Sequence, residues 1–160
     1  MIKRVLGTKD ILPQEIQTWH NIEEASRKVF SLFNYREIRT PIIEEHAVFD
    51  RSLGQTAEIV QKQMFLIKRE TDTYALRPEG TAAVARAFIE NNLNNLGFTK
   101  LYYIGAMFRA ERPQKGRLRQ FHHIGAEAIG SYEADLDVEI ISLADRLLKT
   151  FNLGGYEIKL

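Results

Sequence analysis

The sequence predicts an α+β fold, a mostly antiparallel sheet flanked by helices. Three observations carry that expectation. Two segments on either side of a basic loop alternate at the period of a strand, three others repeat apolar residues at the period of a helix, and hairpins interleave with those helices along the chain. The 160 residues, 44% of them hydrophobic and 27% charged, suffice for one compact domain with a core and argue against disorder.

The first helix is expected in "TKDILPQEIQTWHNIEEASRKVFSLFNY". Pro13 suits the first turn, and Ile16, Trp19, Ile22, Ala25, Val29, Phe30 and Phe33 recur as a core-facing stripe up to Asn34. "REIRTPIIEE" follows as a β-branched strand interrupted by Pro41, which cannot donate to a ladder and so implies an edge or an interface. A short helix is predicted from about Glu45 to Ser52. A hairpin comes next, with strands near Met64 to Ile67 and Thr73 to Leu76. In "GTAAVARAFIENNLNNLG" Thr81 is placed to cap a helix and Gly97 to stop it. "LYYIGAMFRAE" and "FHHIGAEAIG" read as two longer strands. Between 131 and 155 an amphipathic helix carries Leu136, Ile140, Ile141, Leu143, Leu147, Leu148 and Phe151, and "YEIKL" reads as the start of another strand.

Composition narrows the functional classes. The formal net charge is only +1, so attraction for nucleotide or nucleic acid must come from local clusters of Lys and Arg. Cys is absent, which removes disulfides, thiolate metal sites and a Cys nucleophile. The histidines at 20, 46, 122 and 123 lack ligand spacing on a helix, so no protein-held metal is expected. No apolar run approaches the ~20 residues of a membrane span, and the basic start lacks a signal-peptide core, which makes a cytoplasmic protein the expectation.

The chemistry concentrates in the last hairpin. On one strand Phe121, His123, Gly125 and Glu127 share a face, while His122, Ile124, Ala126 and Ala128 share the other; Gly105, Met107, Arg109 and Glu111 share a face on the preceding strand. If residues of equal parity pair, such as Arg109 with Phe121, an Arg for phosphate, a flat ring for a base and a carboxylate for a cationic or N–H-bearing group converge on one surface. A plainer reading has Arg109 and Glu111 pairing with each other or with solvent, Phe121 filling core, and Lys115, Arg117 and Arg119 solubilising a turn. Spacing alone leaves both open.

Four stretches carry a resemblance. "FRAERPQKGRLRQFHHIGAE" resembles motif 2 of class II aminoacyl-tRNA synthetases in the form found in the histidyl-tRNA synthetases. "LGTKDILP" resembles the opening of that family, "EIRTPIIEE" its motif 1, and "ALRPEGTAAVAR" its substrate-binding turn. The resemblance spans essentially the whole chain. It implies a class II catalytic-domain fold in which residues 1–160 form the N-terminal part, with motif 3 and the anticodon-binding domain lying beyond the last residue. The implied activity is activation of L-histidine with Mg2+ and ATP to histidyl-adenylate, followed by transfer to the terminal adenosine of tRNA(His).

By the same resemblance Arg109 contacts the α-phosphate of ATP and the histidine carboxylate, Glu111 meets the adenine amino group, Arg117 the terminal phosphate, and Phe121 stacks on adenine. Glu79, Gly80 and Thr81 hold the α-amino group, and Glu127 accepts a hydrogen bond from the imidazole. His123 stands where the family carries Gln, at a position that helps to bind the amino group. A homodimer is implied, with Glu37 to Glu44 at its interface. Two further readings compete: a non-catalytic, histidine-sensing subunit of ATP phosphoribosyltransferase, and a simple RNA-binding module whose loop cations meet the acceptor end of tRNA. A sensor has no need of Glu111, Lys115 and Arg117 for ATP.

Overall fold

The computed structural model describes residues 1–54, 59 and 62–159. In chain order it contains α1 (Pro13–Leu32), β1 (Arg36–Glu37), β2 (Ile43–Glu45), α2 (His46–Leu53), β3 (Leu66–Arg69), β4 (Asp72–Leu76), α3 (Thr81–Glu90), a 3-10 turn (Leu93–Leu96), β5 (Thr99–Phe108), β6 (Gln120–Ile129) and α4 (Asp135–Thr150). The strands form two small sheets, ordered β1-β5-β6 and β2-β4-β3. Every pairing is antiparallel except β1 with β5, where Arg36 lies opposite Leu101 and Glu37 opposite Tyr102. The α+β expectation is met. No helix among the described residues is long and apolar enough to cross a membrane.

The β5–β6 hairpin divides the interior. Its even-numbered face packs under α1 and α4, where Phe30, Tyr35, Tyr102 and Leu143 are buried with Ile104, Ile124, Ala126, Ile140 and Leu147 against them. Phe30 stacks on Tyr102 with ring centroids 4.2 Å apart. The odd-numbered face packs against α3 through Val84, Leu101, Tyr103 and Met107. A third cluster, Phe49, Met64, Ala75 and Ala82, joins α2 and the second sheet to α3.

Several local expectations are corrected. The motif-1-like strand is not one element: Pro41, without an N–H to donate, lies between β1 and β2, and the two halves enter different sheets. The predicted stripe of α1 is core only toward its C-terminal end, where Val29 and Phe30 are buried, whereas Ile16 and Ile22 keep 37% and 36% of their surface. Thr81 does not cap α3; the Glu79 carboxylate does, accepting the Thr81 and Ala82 amides at 2.6 and 2.9 Å. Gly97, at φ 72°, ends the 3-10 turn rather than α3. Residues 156–159 have no regular secondary structure, and Leu160 of the expected last strand lies outside the described residues.

Candidate functional site

The parity argument for the hairpin holds, and the register is shifted. β5 and β6 pair over ten residues each, with Leu101 opposite Glu127, Tyr103 opposite Gly125, Gly105 opposite His123 and Met107 opposite Phe121. The ladder continues by one bond, Arg109 N–H to Arg119 O at 2.9 Å. Arg109 therefore faces Arg119 across the hairpin, not Phe121, yet both stay on the odd face. The Arg109 guanidinium reaches back over the Phe121 ring, 5.2 Å from its centroid, a cation–π distance. The same side chain donates Nε–H to Pro78 O at 3.1 Å, which fixes the guanidinium from its inner side.

Pro78 opens the turn that delivers the anionic half. Glu79, 9% exposed, caps α3 and so sits at the positive end of that helix. Thr81, freed from capping, donates its hydroxyl to Glu127 Oε1 at 2.7 Å, and the Tyr103 hydroxyl donates to the same oxygen at 3.5 Å. Tyr103 forms the floor. A Cβ on Gly80 or Gly125 would come within 2.2 and 2.3 Å of its ring, so only glycine at both positions lets the turn and β6 close on it. Burial pushes the Glu127 carboxyl up from its ordinary value, and the Thr81 hydroxyl partly offsets this. The Tyr103 phenol is pushed up to about 12 by burial and by Glu127 beside it.

His123 stands between the two halves. Its ring lies edge-on to Tyr103 at 5.5 Å, and its Nδ1 is one of two fully buried side-chain polar atoms, with Asp50 Oδ1, that find no hydrogen-bond partner among the described residues. Buried polar atoms are nearly always paired, so an orphan nitrogen in a polar cluster points to a missing ligand group. Burial, reinforced by the Arg109 guanidinium, holds the His123 imidazole below its ordinary value against the pull of Glu79.

The basic loop carries the rest. Glu111 and Arg117 approach to 3.9 Å, with Arg117 68% exposed, a contact weak enough to exchange for other partners. Lys62, Gln63, Glu111, Arg112, Gln114 and Arg117 line an open cleft there. The base of the loop is tied elsewhere: Gly7 O accepts the amides of Arg119 and Gln120, and Arg119 Nε–H donates to Glu111 O. Of the expected residues, Glu79, Gly80, Thr81, Arg109, Phe121, His123 and Glu127 thus form one surface, while Glu111 and Arg117 sit out on the loop. The plainer reading is half right, since Phe121 packs on the α3 cluster, but the partner of Glu111 is Arg117 and not Arg109. Two residues escaped sequence reasoning, Tyr103 and Arg77. The parity that selected Gly105 also selects Tyr103, and Arg77 immediately precedes the turn.

Among the described residues no group of three or more His, Asp or Glu could hold a metal ion. Glu111 is the carboxylate of the loop cleft. The surface offers two carboxylates for an ammonium and an N–H donor at one end, and a guanidinium over an aromatic ring for an anion and a flat base at the other.

Known proteins resemble this chain over nearly its whole length. A family model described as Histidyl-tRNA synthetase matches residues 7–160. A histidine–tRNA ligase from Solibacter usitatus is 49% identical over 160 residues, which cover 99% of this chain and 39% of that relative. The solved apo histidyl-tRNA synthetase of S. aureus superposes with a TM-score of 0.80 at 37% identity, over 96% of this chain and 35% of that one. A Bacillus halodurans protein named as an ATP phosphoribosyltransferase regulatory subunit/histidyl-tRNA synthetase superposes with a TM-score of 0.82 at 28% identity, over 96% of this chain and 39% of that one. The chain spans about two fifths of the length of its curated relatives.

Proposed function

The chain belongs to the histidyl-tRNA synthetase family, and on that premise we propose that it forms the first part of the catalytic domain of a longer histidine–tRNA ligase. That protein joins histidine to ATP as histidyl-adenylate and passes the histidyl group to the 3′ adenosine of tRNA(His). The observation that carries the reading is the single surface on which Glu79 and Glu127 lie at one end and Arg109, over Phe121, at the other.

In this arrangement the ammonium of histidine meets Glu79, the Thr81 turn and His123. Glu127 accepts a hydrogen bond from the imidazole, already oriented by Thr81 and Tyr103. Amino acids without a ring N–H leave that half-buried carboxylate with only its Thr81 and Tyr103 hydroxyl donors, which costs affinity. The histidine carboxylate then attacks the α-phosphorus; an O–P bond forms and the bond to pyrophosphate breaks. Arg109, pre-set by Pro78 O, meets the charge gathering on the phosphoryl oxygens without reorganising. Phe121 and Glu111 receive adenine and Arg117 the terminal phosphate, and a Mg2+ ion bound with the nucleotide would supply positive charge to the leaving group.

The loop cations Arg112, Lys115 and Arg117 serve the acceptor end of tRNA as a second role. The intact protein is a cytoplasmic homodimer through the segment from Glu37 to Glu44, where Ile42 and Ile43 are half exposed. Glu44, by contrast, turns inward to an ion pair with Arg86. Sedimentation of the full-length protein at micromolar concentration reads the dimer directly.

A second reading, the histidine-sensing regulatory subunit, is favoured by the Bacillus halodurans likeness alone. Thermal melting of the full-length protein separates the two. A ligase is stabilised by ATP and by histidine, by ~2.7 kcal/mol for each ligand at 100 times its Kd, whereas a sensor is stabilised by histidine only. A melting point indifferent to both ligands overturns either reading.

A further inference from the structure

We propose that Arg77 is a positioning residue that ties the Thr40–Ile42 segment to the turn carrying Glu79 and Thr81, and so holds the amino-acid half of the site in place. The inference rests on the reading of that site given above. It starts from a buried cation. Arg77 directly follows β4, is 8% exposed, and makes no ion pair among the described residues. Its donors go to backbone and hydroxyl oxygens instead. Nε–H donates to Ala106 O on β5 at 3.0 Å, and Nη1 donates to Thr40 O at 2.8 Å and to Thr40 Oγ1 at 3.0 Å. Its own backbone closes the connection, with N–H to Ile42 O at 2.9 Å and its carbonyl accepting the Phe108 amide at 2.9 Å.

One residue thus joins the two sheets at the point where the chain leaves β4 for the site. Space has been left for it. A Cβ on Gly105 would stand 2.6 Å from Arg77 Nη2, so the guanidinium lies against bare backbone opposite His123 in the hairpin. The next residue, Pro78, offers the carbonyl that orients Arg109, and the one after it is Glu79. A shift of Arg77 therefore moves an ammonium-binding carboxylate and the inner anchor of Arg109 together. A planar fork is needed for this, because a lysine nitrogen cannot reach Ala106 O and Thr40 O at once in those directions.

The adenine end has separate moorings, the bonds of Arg119 and Gln120 to Gly7 O and of Arg119 to Glu111 O. Loss of Arg77 therefore has a directional signature. In the full-length protein, histidine-dependent pyrophosphate exchange by Arg77→Lys is expected to show a KM for histidine raised about tenfold or more and a lowered kcat, with the KM for ATP within about twofold of wild type. Thr40→Val, far milder, shifts the histidine KM in the same direction. The double variant is no worse than Arg77→Lys alone, since the two residues act through one contact. An equal rise in both KM values, unchanged KM values, or additive effects overturn the proposal. Should Arg77→Lys fail to fold, the histidine-to-ATP split in Thr40→Val decides alone.

Hydrogen exchange provides a readout that needs no activity. The Thr81 and Ala82 amides bonded to Glu79 should exchange faster in Arg77→Lys or Thr40→Val, while α1 and α4 keep their protection. Unchanged exchange in residues 78–86, or loosening along the whole chain, overturns the positioning role. If wild type shows no pyrophosphate exchange, the ligase reading fails, and the exchange pattern still decides the role of Arg77.

Discussion

His122 and His123 are neighbours in sequence and face opposite sides of β6, and the two sides treat them differently. His122 packs its ring on Trp19 of α1, with centroids 4.3 Å apart, and joins a face where the buried groups are aromatic and aliphatic side chains fitted to one another. His123 keeps a buried nitrogen without a hydrogen-bond partner among the described residues, in a cluster with the Glu79 carboxylate, the Arg109 guanidinium and the Tyr103 phenol. The rear face meets the ordinary requirements of a core. The front face departs from them at several points at once, and such departures mark the places where a protein is built for a ligand instead of for its own stability.

The comparison breaks if stability and chemistry fail to separate between the faces. The largest effect is expected at the rear. Phe30→Ala removes a fully buried ring stacked on Tyr102 and should cost about 3–5 kcal/mol of stability, read as a lowered melting point, with ligand affinities of the folded fraction unchanged. A rear-face cavity that instead abolished histidine binding while sparing the melting point would reverse the assignment of roles.

At the front, Arg109→Ala should leave the melting point close to wild type and lower pyrophosphate exchange about 100-fold, the ~3 kcal/mol typical of a lost transition-state charge partner. Exchange near the wild-type rate in a folded variant would return Arg109 to the surface.

The smallest effect sharpens the comparison at its centre. Because burial and Arg109 depress the His123 imidazole from its ordinary value near 6.5, with Glu79 opposing and Tyr103 edge-on, the ring is neutral at pH 7 and can accept from an ammonium. As pH falls below about 6.5 the unfolded chain takes up this proton first, so the folded state loses stability until the lowered folded value is passed. Binding of the histidine ammonium weakens in the same acid range. His123→Gln keeps an acceptor and removes the titration, so the ratio of histidine affinities, variant to wild type, should rise a few-fold between about pH 7.5 and 5.5. Taking the ratio cancels the titration of the substrate ring itself. A ratio flat across that range would mean that His123 does not meet the ammonium.

How much of this was legible beforehand follows from what each feature depends on. The sharing of one face by Arg109, Phe121, His123 and Glu127 is set by the period of a strand and was readable from the letters. The register was not, because it depends on how the loop from Ala110 to Arg119 folds back, and that loop is fixed by a bond to Gly7 far away in sequence. Thr81 looked like a cap because its hydroxyl is of the right type, but Glu79 accepts the Thr81 and Ala82 amides and the Thr81 hydroxyl goes to Glu127. The stripe on α1 was periodic throughout, and only tertiary packing decides that Val29 and Phe30 are covered while Ile16 and Ile22 are not. Arg77 itself resembled any arginine next to a turn. Nothing local announces that its partners lie at Thr40 and Ala106.

The strap at Gly7 bears on the order in which the molecule can be assembled. Leu6 and Gly7 lie 113 and 112 residues before Arg119, to which both are bonded, a long span for so small a protein. A ribosome adding about 5–20 residues per second takes roughly 6–20 s to cover that distance. Throughout that interval Gly7 O lacks the Arg119 and Gln120 amides, and α1 lacks His122 and Leu143, which lie later still. The oldest part of the chain is therefore fastened late, and the basic loop acquires its fixed base only when later residues return to the first ones made.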